Sequence, residues 1–389
     1  MVHIHTDQLR IERHFSDEER EAGYTVRDWV KHRFLPLIGE HYEKKTFPMH
    51  LVPEMAALGL FGVKSDPRWG GSGLSNVCYG IVCRELEYGD SGLRSFVSVQ
   101  NSLVIFPIEK FGSDEQKERW LERLITGKAI GAFGLTEPGA GSNPASMKTR
   151  ACKDGDCYVL NGSKQWITNG SIADVVVVWA KTDDDVVRGF LVEKGTPGFT
   201  AQDIHGKLSL CASVTSSLFF DDVRIPAANL LPLTKNIGSA LSCLNEARYG
   251  IAWGAVGAAQ ACYDMALSYA LERTQFDGKP IAAHQLTQEK LVKMVVGIVN
   301  AQNMAWVVGK LKDDKRASHS NISMAKMHNV RVALEAARSA RTILGANGIT
   351  LEYHVMRHAC NLESVLTYEG TEEIHLLSIG KDITGINAF

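Results

Sequence analysis

The chain has 389 residues, 45% apolar and 22% charged, with a net charge of −2. That length suits two or three domains, and the composition is that of a globular protein with a sizeable core. The near-neutral balance makes no electrostatic case for binding nucleic acid or an anionic membrane, and no window reads as the ~18 apolar residues of a membrane span. The start, MVHIHTD, has no apolar core or cleavage site, and Asp17, Glu18 and Glu19 argue against an acid-poor transit peptide. The expected compartment is the cytoplasm or, for a mature eukaryotic form, the mitochondrial matrix. Eight scattered cysteines include no C-x2-C pair. Cys152 and Cys157 flank an expected turn at 153–156, where a metal or disulfide could form, but reduced thiols are the expectation for a chain of this size.

Residues 1–130 read as a helical domain. Ser16 with Glu19 forms a capping box, followed by Ala22, Val26, Val30 and Phe34 at four-residue spacing. Ser113 with Gln116 forms a second box on a helix that Gly127 ends. Between them, 69–73 (WGGSG) reads as a loop. From 131 to 235 the texture is that of a β domain. The dipeptide Asn161-Gly162, between apolar runs, predicts a hairpin. Segments 175–179, 189–193 and 218–220 are short apolar runs bounded by turn residues. Residues 236–389 are helical again, with periodic stretches near 236–272, 285–312, 318–344 and 353–381. These predict an antiparallel four-helix bundle. No Rossmann fingerprint with its strand and trailing acid is present, which argues against NAD.

Chemistry concentrates in four segments. Near the C-terminus, 367–375 reads TYEGTEEIH, in which a carboxylate beside glycine suits a base that must reach a small substrate atom. Upstream are GLTEPGAGS at 134–142, WITN at 166–169 and RTQF at 273–276. Taken alone, each has an ordinary reading as a cap, a Gly/Pro turn, a hairpin core or an exposed inter-helix loop. In this order and at these separations they resemble the acyl-CoA dehydrogenases, across nearly the whole chain.

The resemblance implies an α+β fold with a helical N-terminal domain, a middle β-barrel or sandwich and a C-terminal four-helix bundle. It implies FAD as cofactor, an acyl-CoA thioester as substrate, electron-transfer flavoprotein as acceptor and a homotetramer. Glu369 matches the base that removes the α-proton. Phe133, Leu135, Thr136 and Ser142 match a loop on the flavin's pyrimidine edge, and Ser142 also lies between flavin and thioester. Trp166 and Thr168 match the tryptophan packed on the flavin and the hydroxyl near its N5. Arg273, Gln275, Phe276 and Gln285 match the segment that grips pyrophosphate and adenosine across a subunit interface. Leu344, Gly345, Thr371 and Glu373 match further cofactor contacts, with Phe389 nearby. Asn245 and Arg248 match positions that hold CoA. The chain departs from the family at Asn143, at Asp277-Gly278 and at Ala346.

A further constellation, EYGDSGLRS at 87–95, resembles the glutaryl-CoA dehydrogenases. There the matches of Arg94 and Ser95 bind the distal carboxylate, Glu87 lies near it, and Tyr368 and Gly370 complete the substrate pocket. That subfamily oxidises glutaryl-CoA and releases CO2 to give crotonyl-CoA. A pocket for a plain fatty acyl chain should not bury an unpaired arginine, so Arg94 implies an acidic tail. Leu93 stands where the subfamily has an aromatic, Cys211 where it has Arg and Ser216 where it has Gly. A short-chain fatty acyl-CoA dehydrogenase, which would not need Arg94, is the alternative within the fold. A DNA-binding flavoprotein of the same fold is the other, and it would need a basic patch that the net charge does not advertise.

Overall fold

The computed structural model describes residues 6–388, so Phe389 lies outside the described residues. Seven helices come first: α1 (Asp17–Trp29), α2 (Leu35–Lys44), α3 (Val52–Ala57), α4 (Asn76–Gly89), α5 (Ser91–Ser98), α6 (Phe106–Phe111) and α7 (Asp114–Ile125). Both capping boxes form, at Ser16/Glu19 and Ser113/Gln116, and Gly127 follows α7 at φ 70°. The four-residue apolar spacing has a structural consequence. On an α-helix it drifts by about 40° per step. The chain inserts a π-helical segment at Val30–Phe34, which keeps Val26, Val30, Phe34 and Ile38 on one buried face. A second π segment, Val99–Ile105, joins α5 to α6.

The middle of the chain is one seven-stranded sheet: β1 (Gly131–Gly134), β2 (Arg150–Asp154), β3 (Cys157–Thr168), β4 (Val175–Lys181), β5 (Val187–Glu193), β6 (Phe199–Asp203) and β7 (Thr215–Pro226). The strand order is β1-β4-β2-β3-β7-β6, with β5 also paired to β4. β4 is VVVVWAK and its first six residues are buried, because helices cover one face and the sheet's own core covers the other. The hairpin expected at Asn161-Gly162 is not there. β3 runs straight through it and pairs with β7 along its length, with a register shift at Leu160/Gly162. Gly162 sits at φ 144°, and a Cβ there would come within 2.5 Å of Thr149, so the Asn-Gly marks a bulge rather than a turn. The actual hairpin is one turn earlier, where Gly155 at φ 59° connects β2 to β3.

The last part contains α8 (Ile237–Glu272), a two-stranded ribbon of β8 (Thr274–Gln275) and β9 (Lys279–Pro280), α9 (Gln285–Asp313), α10 (His319–Ile343), α11 (Val355–Thr367) and α12 (Glu372–Thr384). The fourth periodic stretch is therefore two helices, broken at 368–371. α8 packs on α10, on α9 and on α4, burying an alanine- and glycine-rich face (Gly254, Gly257, Ala258, Ala261). At Gly257 a Cβ would fall 1.8 Å from the Arg84 carbonyl, so α4 and α8 approach closely only because the residue is glycine. One expectation was too strict: by length and composition α9 is apolar enough to cross a membrane, with a window of mean hydropathy 1.4. Only 39% of that window is buried, and Val292, Val296 and Val307 on α9 are exposed. All eight cysteines are free thiols.

Candidate active site

The break between α11 and α12 builds the site. Thr371 caps α12 by accepting the Ile374 N–H at 3.3 Å. α11 ends at Thr367, and the intervening Glu369 and Gly370 take left-handed φ of 54° and 100°. For glutamate that conformation costs about 1 kcal/mol or more and persists only where neighbours enforce it. One neighbour is Arg248 on α8, whose Nε donates to the Glu369 carbonyl at 2.6 Å while its Nη1 donates to Asn245 at 3.2 Å. The predicted Asn245/Arg248 pair is thus turned inward onto the Glu369 turn, leaving the remaining guanidinium donors for other partners.

The Glu369 carboxyl is unusual in two respects. Its Oε2 is enclosed and has no hydrogen-bond partner among the described residues. Burial raises its pKa to about 7, against the opposing charges of Arg94, Arg248 and Lys326. Beside it, Arg94 on α5 is 1% exposed. Its Nε donates to Glu87 Oε2 at 2.6 Å, and its Nη2 donates to the Tyr368 hydroxyl. Ser95 Oγ lies 3.2 Å from the same hydroxyl. Burial pushes the Tyr368 phenol up to about 12, so it stays a neutral donor and acceptor. Glu87, Arg94, Ser95, Tyr368, Glu369, Gly370, Asn245 and Arg248 therefore form one connected cluster, as expected from the sequence. Contrary to the expectation of an unpaired charge, the buried Arg94 is matched by Glu87 on α4.

Gly254 explains how that pair fits. A Cβ at this position on α8 would lie 2.0 Å from Glu87 Oε2 and 3.2 Å from Arg94 Nε. Gly254 ends the 245–254 stretch, which also resembles the glutaryl-CoA dehydrogenases, but the sequence assigns it no role of its own.

A second group lies on the sheet. Phe133 and Leu135 are buried in the core shared with the N-terminal helices, Thr136 is half-buried, and Ser142 is exposed on the following loop. Two residues the sequence reading did not single out hold this loop. Lys164 Nζ donates to the Leu135 carbonyl at 3.0 Å and to Glu137 at 2.9 Å, and Glu137 also accepts the N–H groups of Lys148 and Thr149. Gln165 N–H donates to the Thr136 carbonyl at 2.8 Å, tying β3 to the loop. Here β3 carries another register shift, between Lys164 and Ile167. It throws Trp166 outward at φ 63° and 58% exposed, with Thr168 half-buried beside it. A large aromatic held in a strained, exposed pose is the arrangement a flat ring system would cover. Asn169, the first residue after β3, keeps a buried Nδ2 with no partner among the described residues. These features fit a flavin.

The third group stands apart. Arg273, Gln275, Phe276 and Gln285 are all exposed, on or next to the β8–β9 ribbon, whose turn runs through Phe276, Asp277 and Gly278 at positive φ. Leu344 is buried, Gly345 is exposed at φ 59°, and Glu373 is exposed on α12. No hydrogen bond or ion pair links Arg273, Gln275, Phe276 or Gln285 to the Glu369 cluster among the described residues.

Comparison with known proteins agrees with this architecture. The acyl-CoA dehydrogenase N-terminal, middle and C-terminal domain models match residues 16–128, 132–223 and 237–384. The chain is 37% identical over 361 residues to the mitochondrial short-chain specific acyl-CoA dehydrogenase of Bos taurus, covering 91% of this chain and 87% of that one. It is 36% identical to an acyl-CoA dehydrogenase of Bacillus subtilis, covering 96% and 99%. Among solved structures, glutaryl-CoA dehydrogenase from Mycobacterium smegmatis superposes with a TM-score of 0.96 at 52% identity over 99% of both chains. A structure of a glutaryl-CoA dehydrogenase from the same organism in complex with FADH2 gives 0.97 at 51%. The chain belongs to the acyl-CoA dehydrogenases, a family of FAD-dependent, typically tetrameric oxidoreductases that act on acyl-CoA thioesters.

Proposed function

We propose that this chain oxidises the α,β carbons of an acyl-CoA whose acyl chain ends in a carboxylate, with glutaryl-CoA as substrate, and then releases CO2 to form crotonyl-CoA. The observation that carries the reading is a carboxyl with an enclosed, unpartnered oxygen at Glu369 joined through Tyr368 to the buried guanidinium of Arg94. The 52% identity to a glutaryl-CoA dehydrogenase supports it.

Glu369 removes the α-proton. Enolate charge then builds on the thioester oxygen, and the Glu369 N–H, which has no protein acceptor among the described residues, is free to donate to it. FAD, when bound, supplies a hydride acceptor for the β-carbon. Phe133, Leu135, Thr136, Ser142, Trp166, Thr168, Thr371 and Glu373 would hold it from this chain, with Arg273, Gln275, Phe276, Gln285, Leu344 and Gly345 on the nucleotide end. Arg94 receives the distal carboxylate on a guanidinium nitrogen, Nη1, that has no protein acceptor among the described residues. Glu87 offsets part of the arginine's charge, so the carboxylate is bound without being held too tightly to leave. The bond from the γ-carbon to the carboxylate then breaks, CO2 departs, and its electron pair enters a dienolate. Protonated Glu369 returns its proton to the γ-carbon. The proposed acceptor downstream is electron-transfer flavoprotein.

One observation favours a second reading. Because Glu87 already matches Arg94, the pocket is electrically closed without a substrate carboxylate, as a short-chain fatty acyl-CoA dehydrogenase without decarboxylation would allow. Anaerobic bleaching of the flavin by glutaryl-CoA and butyryl-CoA, with mass spectrometry of the products, separates the two. Glutaryl-CoA should bleach the enzyme and yield crotonyl-CoA with CO2, and Arg94→Met should abolish this. Bleaching by butyryl-CoA alone, unaffected by Arg94→Met, would establish the second reading.

A further inference from the structure

Lys326 on α10 is 1% exposed and burial lowers its pKa to about 7; in the ammonium form it is fully committed. Its Nζ donates to the carbonyls of Leu366 at 3.1 Å, Tyr368 at 3.1 Å and Gly370 at 2.8 Å. These are three acceptors for three N–H donors. The carbonyl between the last two, that of Glu369, is taken by Arg248 from α8. Two cations on different helices thus grip consecutive carbonyls along the turn where glutamate adopts its costly left-handed backbone. The Leu366 carbonyl also belongs to the C-terminal turn of α11, where the helix dipole favours a positive charge.

We infer that Lys326 is the positioning residue for the base and for its neighbouring oxyanion donor. This inference rests on the reading of Glu369 as the base. A peptide unit is planar, with its C=O and N–H pointing in opposite directions. Fixing the Tyr368 carbonyl on Lys326 therefore aims the Glu369 N–H directly away from it. The same contact, with that to Gly370, sets the direction in which the Glu369 side chain leaves the backbone. The charged groups that face Lys326 are Glu369 itself, Arg248 on α8, Arg94 on α5 and Glu372 on α12, while burial holds the facing His375 on α12 neutral, with its pKa lowered to about 3. Only the two glutamates carry negative charge. Lys326 takes no part in the chemistry and touches no reacting atom.

The test uses FAD-loaded Lys326→Met, Lys326→Arg and, in parallel, Glu369→Gln, each assayed with whichever of glutaryl-CoA or butyryl-CoA the wild type turns over. Methionine keeps the length and loses all three donors. It should leave flavin content and KM within about threefold while kcat falls roughly 100-fold, the scale of a misplaced reacting group. Its acid limb of kcat/KM should move to higher pH, because a positive charge facing Glu369 is gone. Arginine keeps the charge, so its limb should stay put. Its planar fork cannot meet three converging carbonyls, so its kcat should still fall by about tenfold or more. A Lys326→Met enzyme with near-normal kcat and an unmoved limb overturns the inference, even if its Tm drops. If that variant does not fold, full kcat in Lys326→Arg overturns it instead. An active Glu369→Gln enzyme would instead refute the base assignment, whatever the lysine variants do.

Discussion

Glu369 combines a strained backbone, an enclosed oxygen and a carboxyl that burial lifts to about 7. As a base it must be ionised, so kcat/KM is expected to rise with pH through about 7, measured as a pH–rate profile on the holoenzyme. The stability effect has the opposite sense. The folded pKa lies above the unfolded value, so protonated Glu369 contributes stability that is full below the ordinary carboxylate range and is lost as pH rises through about 7. Thermal melts should record that loss, and Glu369→Gln should remove it while lowering kcat on the order of 100- to 10,000-fold. At this scale the sequence was informative about which residues matter. Glu369, Arg94 and Tyr368 are found together, as the motifs implied. Their state was not legible: the inference from Arg94 to an acidic substrate assumed an unpaired charge, and Glu87 pairs it. Lys326 gave no signal at all, since a lysine on a helix reads as solvated until the structure shows what surrounds it.

Interruptions in regular elements create the site. The 353–381 stretch is periodic enough to read as one helix, yet it breaks at 368–371 because Thr371 starts a new helix and Lys326 and Arg248 hold the carbonyls left over. Strand β3 twice departs from regular pairing. One departure absorbs Asn161-Gly162, and the other presents Trp166. Local propensity predicted a turn at Asn-Gly because it does not register that β7 pairs on both sides of it. Gly254 provides a test at this scale. In Gly254→Ala the new methyl would force the Glu87 carboxylate off Arg94, and breaking a buried ion pair costs on the order of 3–5 kcal/mol. A fall in Tm with loss of turnover is expected in calorimetry and steady-state assays. A fully active, equally stable variant would show that the pair is not needed in this geometry.

For the whole molecule, the exposed cofactor-matching set is the notable feature. Arg273, Gln275 and Phe276 project from the surface, and α9 leaves Val292, Val296 and Val307 uncovered. Both features suit assembly, with the ribbon of one copy completing the cofactor site of another. Light scattering should give about four times the 42.7 kDa of one chain, and Arg273→Ala should release FAD on dilution more readily than the wild type. A monomer that retains its flavin would contradict this arrangement.

By itself, the sequence determined the helical–sheet–helical order, the capping boxes, the family and the residue proposed as the base, because these depend on local spacing and on short motifs with definite chemistry. Tertiary structure alone decided the rest: that Arg94 is neutralised by Glu87 in space left by Gly254, that a periodic helix breaks at Glu369, and that Lys326 grips the turn. Each of these depends on groups far apart in the chain meeting in a largely buried site, where the strength of a charge or the cost of a strained φ is set by neighbours that local spacing does not reveal.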